Sequence, residues 1–186
     1  MEALVTSFVA AFLATWGART QLIVATLAAA TRRPALVLAG LILAALASSI
    51  VAAIAGIWIA ATITIRAMTL MTALALLFGG VSALIPRKRK EAVPARWTLP
   101  AAFILCLAAE MGDSAQFLTF ALAGRFASAP LAAAGATAGI VAACLPAAIL
   151  GDRLQEVIPI RAIRYAVAAL FLVAGFIVAM KALQLA

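Results

Sequence analysis

Glu110, Asp113 and Gln116 follow one another at three-residue intervals inside the stretch Leu105–Gly124, which is otherwise almost wholly apolar. On a continuous helix that spacing places all three on one face. A carboxylate at the centre of a membrane helix costs about 2.5–3.5 kcal/mol on insertion scales. It must therefore face a protein interior or a water-filled cavity and find a partner there. Three partners suit the chemistry: a proton, a basic side chain or a bound cation. The basic candidate is Arg19, which sits in an earlier apolar stretch beside Thr15, Gly17, Thr20 and Gln21. Paired with Arg19, the acids form a structural ion pair between two helices. Paired with a cation and a proton in turn, they form an exchange site. Its metal ligands are Glu110 and Asp113, with Gln116, Gln21, Thr20, Ser114 and Thr15 as further oxygen donors. Calcium and manganese both accept carboxylate and amide oxygens. Gly17 and Gly112 would let the two helices approach closely or unwind locally, although plain small-residue packing accounts for them equally well.

The elements that must hold these residues are helices in a membrane. The chain has 186 residues, 68% of them hydrophobic and 11% charged, with a mean hydropathy of +1.22. A soluble domain is about half apolar and about a quarter charged. Only helices and closed barrels satisfy their own backbone in lipid. Barrel strands alternate in polarity, whereas this chain shows long runs of Ala, Leu, Ile and Val. Six stretches are long enough to cross, at roughly 3–29, 34–56, 64–85, 98–123, 130–150 and 159–184. The chain begins "MEALVTSF" without a basic n-region, so the first stretch reads as a retained span rather than a signal peptide.

Charge and rare residues exclude several functions. The net charge of +8 comes from basic residues in short loops between spans, with no aromatic platform beside them, which argues against a nucleic-acid partner. The chain has no histidine, so a histidine metal site, a histidine proton relay and a Ser-His-Asp triad are excluded. Cys106 and Cys144 lie in apolar spans and read as small apolar fillers. Aspartyl chemistry is disfavoured because no second Asp-bearing helix faces Asp113, so the chain reads as a non-enzyme. The loops after spans one, three and five hold Arg32, Arg33, Arg87, Lys88, Arg89, Lys90, Arg96, Arg153, Arg161 and Arg164, whereas the other side holds Arg66, Arg125 and Lys181. The positive-inside rule then places both termini outside the cytoplasm, and Ala- and Arg-rich usage suggests a bacterial plasma membrane. Arg66 and Arg161 suit snorkelling positions at helix starts. Asp152, Arg153 and Glu156 read as a solvated cluster. Trp58 and Trp97 fit interfacial belts, and Trp16 is central enough to pack beside the site.

The two halves resemble each other at an offset of about 95 residues. "ATWGARTQ" (14–21) falls on "AEMGDSAQ" (109–116), Gly40 on Gly135, "ITIRA" (63–67) on "IPIRA" (158–162), and Gly80 on Gly175. Three spans per half is an odd number, so the second half enters the membrane upside down. The expected fold is all-α and integral to the membrane, with six transmembrane helices as two inverted-topology three-helix repeats. Residues 1–86 form the first repeat, 87–97 a basic cytoplasmic linker and 98–186 the second. In transporters of this kind the substrate site lies near the midplane between the repeats.

"EMGDSAQ" (110–116) resembles the Glu-x-Gly-Asp-[Lys/Arg]-[Ser/Thr]-Gln signature of the Gdt-type calcium/manganese antiporters of the lysine-exporter superfamily. The resemblance covers the whole chain: two three-span halves, one signature opening each, and a basic central loop. It implies exchange of manganese or calcium against protons through both signatures, with lipid, metal ion and proton as partners and no resident cofactor. Each signature departs from the pattern. In "TWGARTQ" (15–21), Thr15 stands where Glu is expected and Ala18 where Asp is expected. In the second, Ser114 replaces the basic residue and Ala115 the hydroxyl residue. Two acids and Arg19 leave one net negative charge where two intact signatures would leave two. The resulting expectation is an asymmetric exporter of divalent cations, in which Arg19 compensates charge at the emptied first site. Two alternatives stay open. The chain is a degenerate subunit that acts only with a partner in a homo- or hetero-oligomer, or it exports a small solute bearing an amino group.

Overall fold

The computed structural model describes residues 1–85 and 98–183, apart from the side chains of Asp152 and Gln155. The basic linker 87–97, Trp97 and the Asp152 side chain therefore lie outside the described residues. Within them the protein is all-helical. Helices α1 (Glu2–Thr15), α2 (Arg19–Thr31), α3 (Pro34–Ala60) and α4 (Ile65–Leu84) make the first half. Helices α5 (Thr98–Glu110), α6 (Ser114–Phe126), α7 (Ala129–Leu150), the short α8 (Leu154–Val157) and α9 (Ile160–Leu183) make the second.

Helix ends follow local chemistry. Proline opens α3 and lies in the first turn of α7, where a missing N–H costs nothing. Thr64 caps α4 by accepting from the Ala67 N–H at 3.3 Å. Arg32 and Ala127, which are repeat-equivalent, end α2 and α6 in the left-handed conformation.

Four helices, α3, α4, α7 and α9, are long and apolar enough to cross a membrane. The other two apolar stretches are not straight spans. Helices α1 and α2 meet at 66°, and α5 and α6 at 68°, so each pair is either one broken span or a re-entrant loop. The protein is integral to the membrane, with four to six candidate spans. The straight helices expected at 3–29 and 98–123 are thus replaced by bent pairs, and the cause is backbone conformation. Gly17 has φ +71° and Gly112 φ +81°, a region open to glycine and strained for other residues. The Ala18 N–H then bonds the Thr15 carbonyl and the Asp113 N–H bonds the Glu110 carbonyl, both at 3.0 Å, before a new helix starts.

Packing depends on small residues. α1 lies against α7, α5 against α3, and α4 against α9. Where lipid tails are as apolar as side chains, close van der Waals approach and internal hydrogen bonds drive association. The central core is rich in alanine, with Val24, Leu41, Cys106, Ile140 and Cys144 fully buried, and both thiols are free. The closest approaches come in matched sets. A Cβ at Gly135 would strike the Leu4 carbonyl, and one at Gly40 would come within 2.9 Å of the Leu99 carbonyl. A Cβ at Gly80 would meet Leu172, and one at Gly175 would meet Leu77. Leu4 and Leu99, like Leu77 and Leu172, are separated by the same offset as the glycines they touch.

Candidate functional site

Around the two breaks, Thr15, Thr20, Gln21, Glu110, Asp113, Ser114 and Gln116 are buried in the protein interior. Glu110 is the last residue of α5 and is fully buried. Its Oε1 accepts from the Thr20 hydroxyl at 2.7 Å, and its Oε2 accepts from the Gln116 amide at 2.8 Å. Thr20 comes from the first turn of α2, so this carboxylate joins the two halves. The Gln116 amide also donates to Ser48 Oγ on α3 at 3.0 Å, while its Oε1 is buried with no hydrogen bond among the described residues.

Glu110 and Asp113 do not share a helix face. Gly112 turns the chain between them, so Glu110 closes α5 while Asp113 stands in extended conformation as the N-cap residue of α6. The three-residue spacing implied a continuous helix, and a positive φ at Gly112 removes that premise. Asp113 and Ser114 are both buried at the start of α6, where the positive end of the helix dipole favours an anion.

The first half holds a matching arrangement with different chemistry. Gln21 is fully buried: its Oε1 accepts from the Gly17 N–H at 2.8 Å and its amide donates to the Ala143 carbonyl on α7 at 2.8 Å. Ala143 and Ser48 occupy equivalent positions in the two repeats, so each glutamine reaches the middle helix of the opposite half. Both ends of the Gln21 amide are committed in this conformation, so it braces the first break. Thr15 is buried and returns its hydroxyl to the Ala11 carbonyl at 2.7 Å.

The structure thus joins Thr20, Glu110 and Gln116 directly, and leaves Thr15 and Gln21 bonded elsewhere. Arg19, expected beside the acids, is exposed at the first turn of α2, with no bond to Glu110 among the described residues. A residue at the helix start after a sharp bend cannot be placed from the angles of a straight helix. Trp16 packs edge-on to Phe12 with ring centroids 5.9 Å apart.

Two participants escaped the sequence reading. Ser48 was visible only as half of a Ser-Ser pair in an apolar span. Arg164 was counted with a cytoplasmic loop, yet it lies more than one turn inside α9 and is half-buried. Its aliphatic stem lies where a Cβ on Gly17 would be, 2.3–2.7 Å away from that point. Its guanidinium donates to the Ala83 carbonyl at 2.7 and 3.0 Å and to the Ile85 carbonyl at the end of α4.

No three acids, thiols or imidazoles cluster among the described residues. The donors that the two breaks offer are carboxylates and neutral oxygens. That ligand set suits hard, oxygen-seeking divalent ions rather than zinc or copper.

Comparison with known proteins agrees with this chemistry. The profile of the family described as divalent cation/proton antiporter GDT1 matches residues 3–91 and again 98–186. A protein of Vibrio cholerae serotype O1 named "Putative manganese exporter" is 31% identical over 175 residues, covering 92% of this chain and 88% of that protein. No solved structure matches. With a family match in each half and a buried carboxylate linking the two, the chain belongs to the divalent cation/proton antiporter GDT1 family.

Proposed function

We propose that this protein, a divalent cation transporter, exports manganese from the cytoplasm in exchange for protons, with Glu110 and Asp113 as the ion-binding acids. The observation that carries the reading is the surroundings of Glu110. The group is fully buried, and both of its oxygens take hydrogen bonds from neutral donors, Thr20 and Gln116. An ionised carboxylate held by neutral groups at such depth is costly without a positive charge. A proton and a metal ion each provide one, and a site that takes them in alternation is an exchanger. Gln116 and Thr20 position the carboxylate, and Ser114 is a further donor. The carbonyls released where α5 breaks off are ligands of the kind that discontinuous helices offer to cations. The name of the Vibrio relative supports manganese as the ion.

The architecture that goes with this function is six spans in two inverted repeats, 1–86 and 98–186, joined by the basic segment 87–97. Its support is the double family match, the repeated bend, and the exchanged glycine contacts at Gly40/Leu99 and Gly135/Leu4. The positive-inside rule puts both termini outside the cytoplasm of a bacterial inner membrane.

The test is manganese flux in proteoliposomes containing this chain alone, with an imposed pH gradient. Flux should be driven by the gradient, and it should fall to background in Glu110→Gln and in Asp113→Asn. Undiminished flux in both variants refutes the site. Flux that appears only after a second protein is added replaces this reading with that of a partner-dependent subunit.

A further inference from the structure

The two breaks are alike in backbone and unlike in cover. At the first, Gly17 is buried beneath α9, with the Arg164 stem and Ile160 Cγ2 both against it. Ile160 also packs on the central core. At the second, a Cβ on Gly112 would meet nothing within 4 Å, and Met111 beside it is 74% exposed. The repeat offset maps Ile160 and Arg164 of α9 onto Ile65 and Thr69 of α4. Those counterparts do not cover Gly112. Ile65 is 89% exposed, and Thr69 turns its hydroxyl back on the Ile65 carbonyl at 2.9 Å. One end of the α4–α9 pair is therefore closed over its break, and the other stands away.

We propose that Arg164 is a gate residue: with Ile160 it seals the first break in this conformation, and Ile65 with Thr69 take the same place over Gly112 in the opposite one. This rests on the transport reading and on the inverted repeat, and it names which side chains open and close. The sealed side is latched in two ways. The Arg164 stem fills the space over Gly17, and its guanidinium holds the last carbonyls of α4, which have no partners within their own helix. The latch thereby ties α9, the end of α4 and the α1–α2 break into one unit. It also places a positive charge at the first break, where both signature acids are missing: Thr15 and Ala18 occupy their positions. The second gate has Thr69 in place of an arginine, so the two closed states differ in strength and the latched one is the resting state.

The experiment uses the full chain in permeabilised membranes, so that a hydrophilic maleimide reaches both faces. Cys106 and Cys144 are buried, so the unmodified protein gives the background. Ala18 is buried next to Gly17 and serves as the reporter of the first break as Ala18→Cys, with Met111→Cys reporting the second. Ala18→Cys should react slowly while Arg164 is present. It should react about tenfold faster in Arg164→Ala, the population change expected when a charged hydrogen bond is lost, while Met111→Cys becomes no faster. An unchanged Ala18→Cys rate, which a mere helix cap would give, overturns the gate. So does equal acceleration at both reporters, which general loosening would give. Should Arg164→Ala fail to reach the membrane, Ile160→Ala carries the test, because it trims the same seal and leaves the α4 carbonyls bonded. Labelling needs no flux. Absent manganese transport with the labelling change intact removes the transport reading alone, and normal transport without the labelling change removes the gate alone.

Discussion

At the scale of single residues, the site depends on how Glu110 is held. Thr20→Val keeps the shape and removes the donor to Oε1. A buried acceptor left without its partner costs about 1–3 kcal/mol, so the thermal midpoint of the detergent-solubilised protein should fall and manganese affinity should change with it. An unchanged midpoint and affinity would mean that water replaces the hydroxyl and that the pocket is wet. Glu110→Gln is a different test, because Gln116 can turn its amide and offer its orphaned Oε1 to the new NH2 group. That variant should fold while its flux drops about tenfold or more, since a neutral amide cannot compensate a divalent ion in low dielectric. A protein that unfolds instead would make Glu110 mainly a structural link between the halves. Sequence reasoning grouped Glu110 with Gln116 and Thr20 because an acid in an apolar span demands a partner, and the structure joins these three by hydrogen bonds. The same reasoning misplaced Arg19 and missed Arg164 because a side chain's reach across a bend depends on coordinates and not on spacing.

At the scale of elements, the two glycine hinges do most to shape the site, and they are not equivalent. Both hold positive φ, so alanine at either costs about 1–2 kcal/mol in backbone strain. At Gly112 strain is the whole cost, because the space is open. At Gly17 the added methyl also overlaps the Arg164 stem. Gly17→Ala should therefore lower the melting temperature clearly more than Gly112→Ala, and Arg164→Ala should recover part of the Gly17→Ala loss. Additive effects in that double-mutant comparison would separate the two residues energetically. The helices themselves were legible: six apolar stretches, prolines at helix starts and glycines within the signatures. The bends were not, because hydropathy counts residues and is blind to a single φ of the opposite sign. Pro146 inside α7 was also passed over, although it withdraws an N–H from the ladder close to the Ala143 carbonyl that Gln21 uses.

At the scale of the whole molecule, the proposed orientation rests on arginine and lysine placement. Reporter fusions at either terminus should be active only on the non-cytoplasmic side, and a cytoplasmic signal from both would invert the assignment. The all-helical membrane class could be read in advance from the long apolar runs, and the likeness of the two halves from glycine, glutamine and arginine recurring at one offset, which the family match in each half reflects. What the offset could not disclose is that the halves sit in different postures, one break covered and the other bare.

The interlock of α4 and α9 carries a last consequence. Leu172 leans into Gly80 and Leu77 into Gly175, and the repeat exchanges one contact for the other. If the inward and outward forms are mirror assignments of the same two halves, a methyl group at Gly80 does to one form what a methyl at Gly175 does to its opposite. Gly80→Ala and Gly175→Ala should then act as counterweights, one tipping the resting protein toward one side of the membrane and the other toward the opposite side, and the double variant should sit near the original balance.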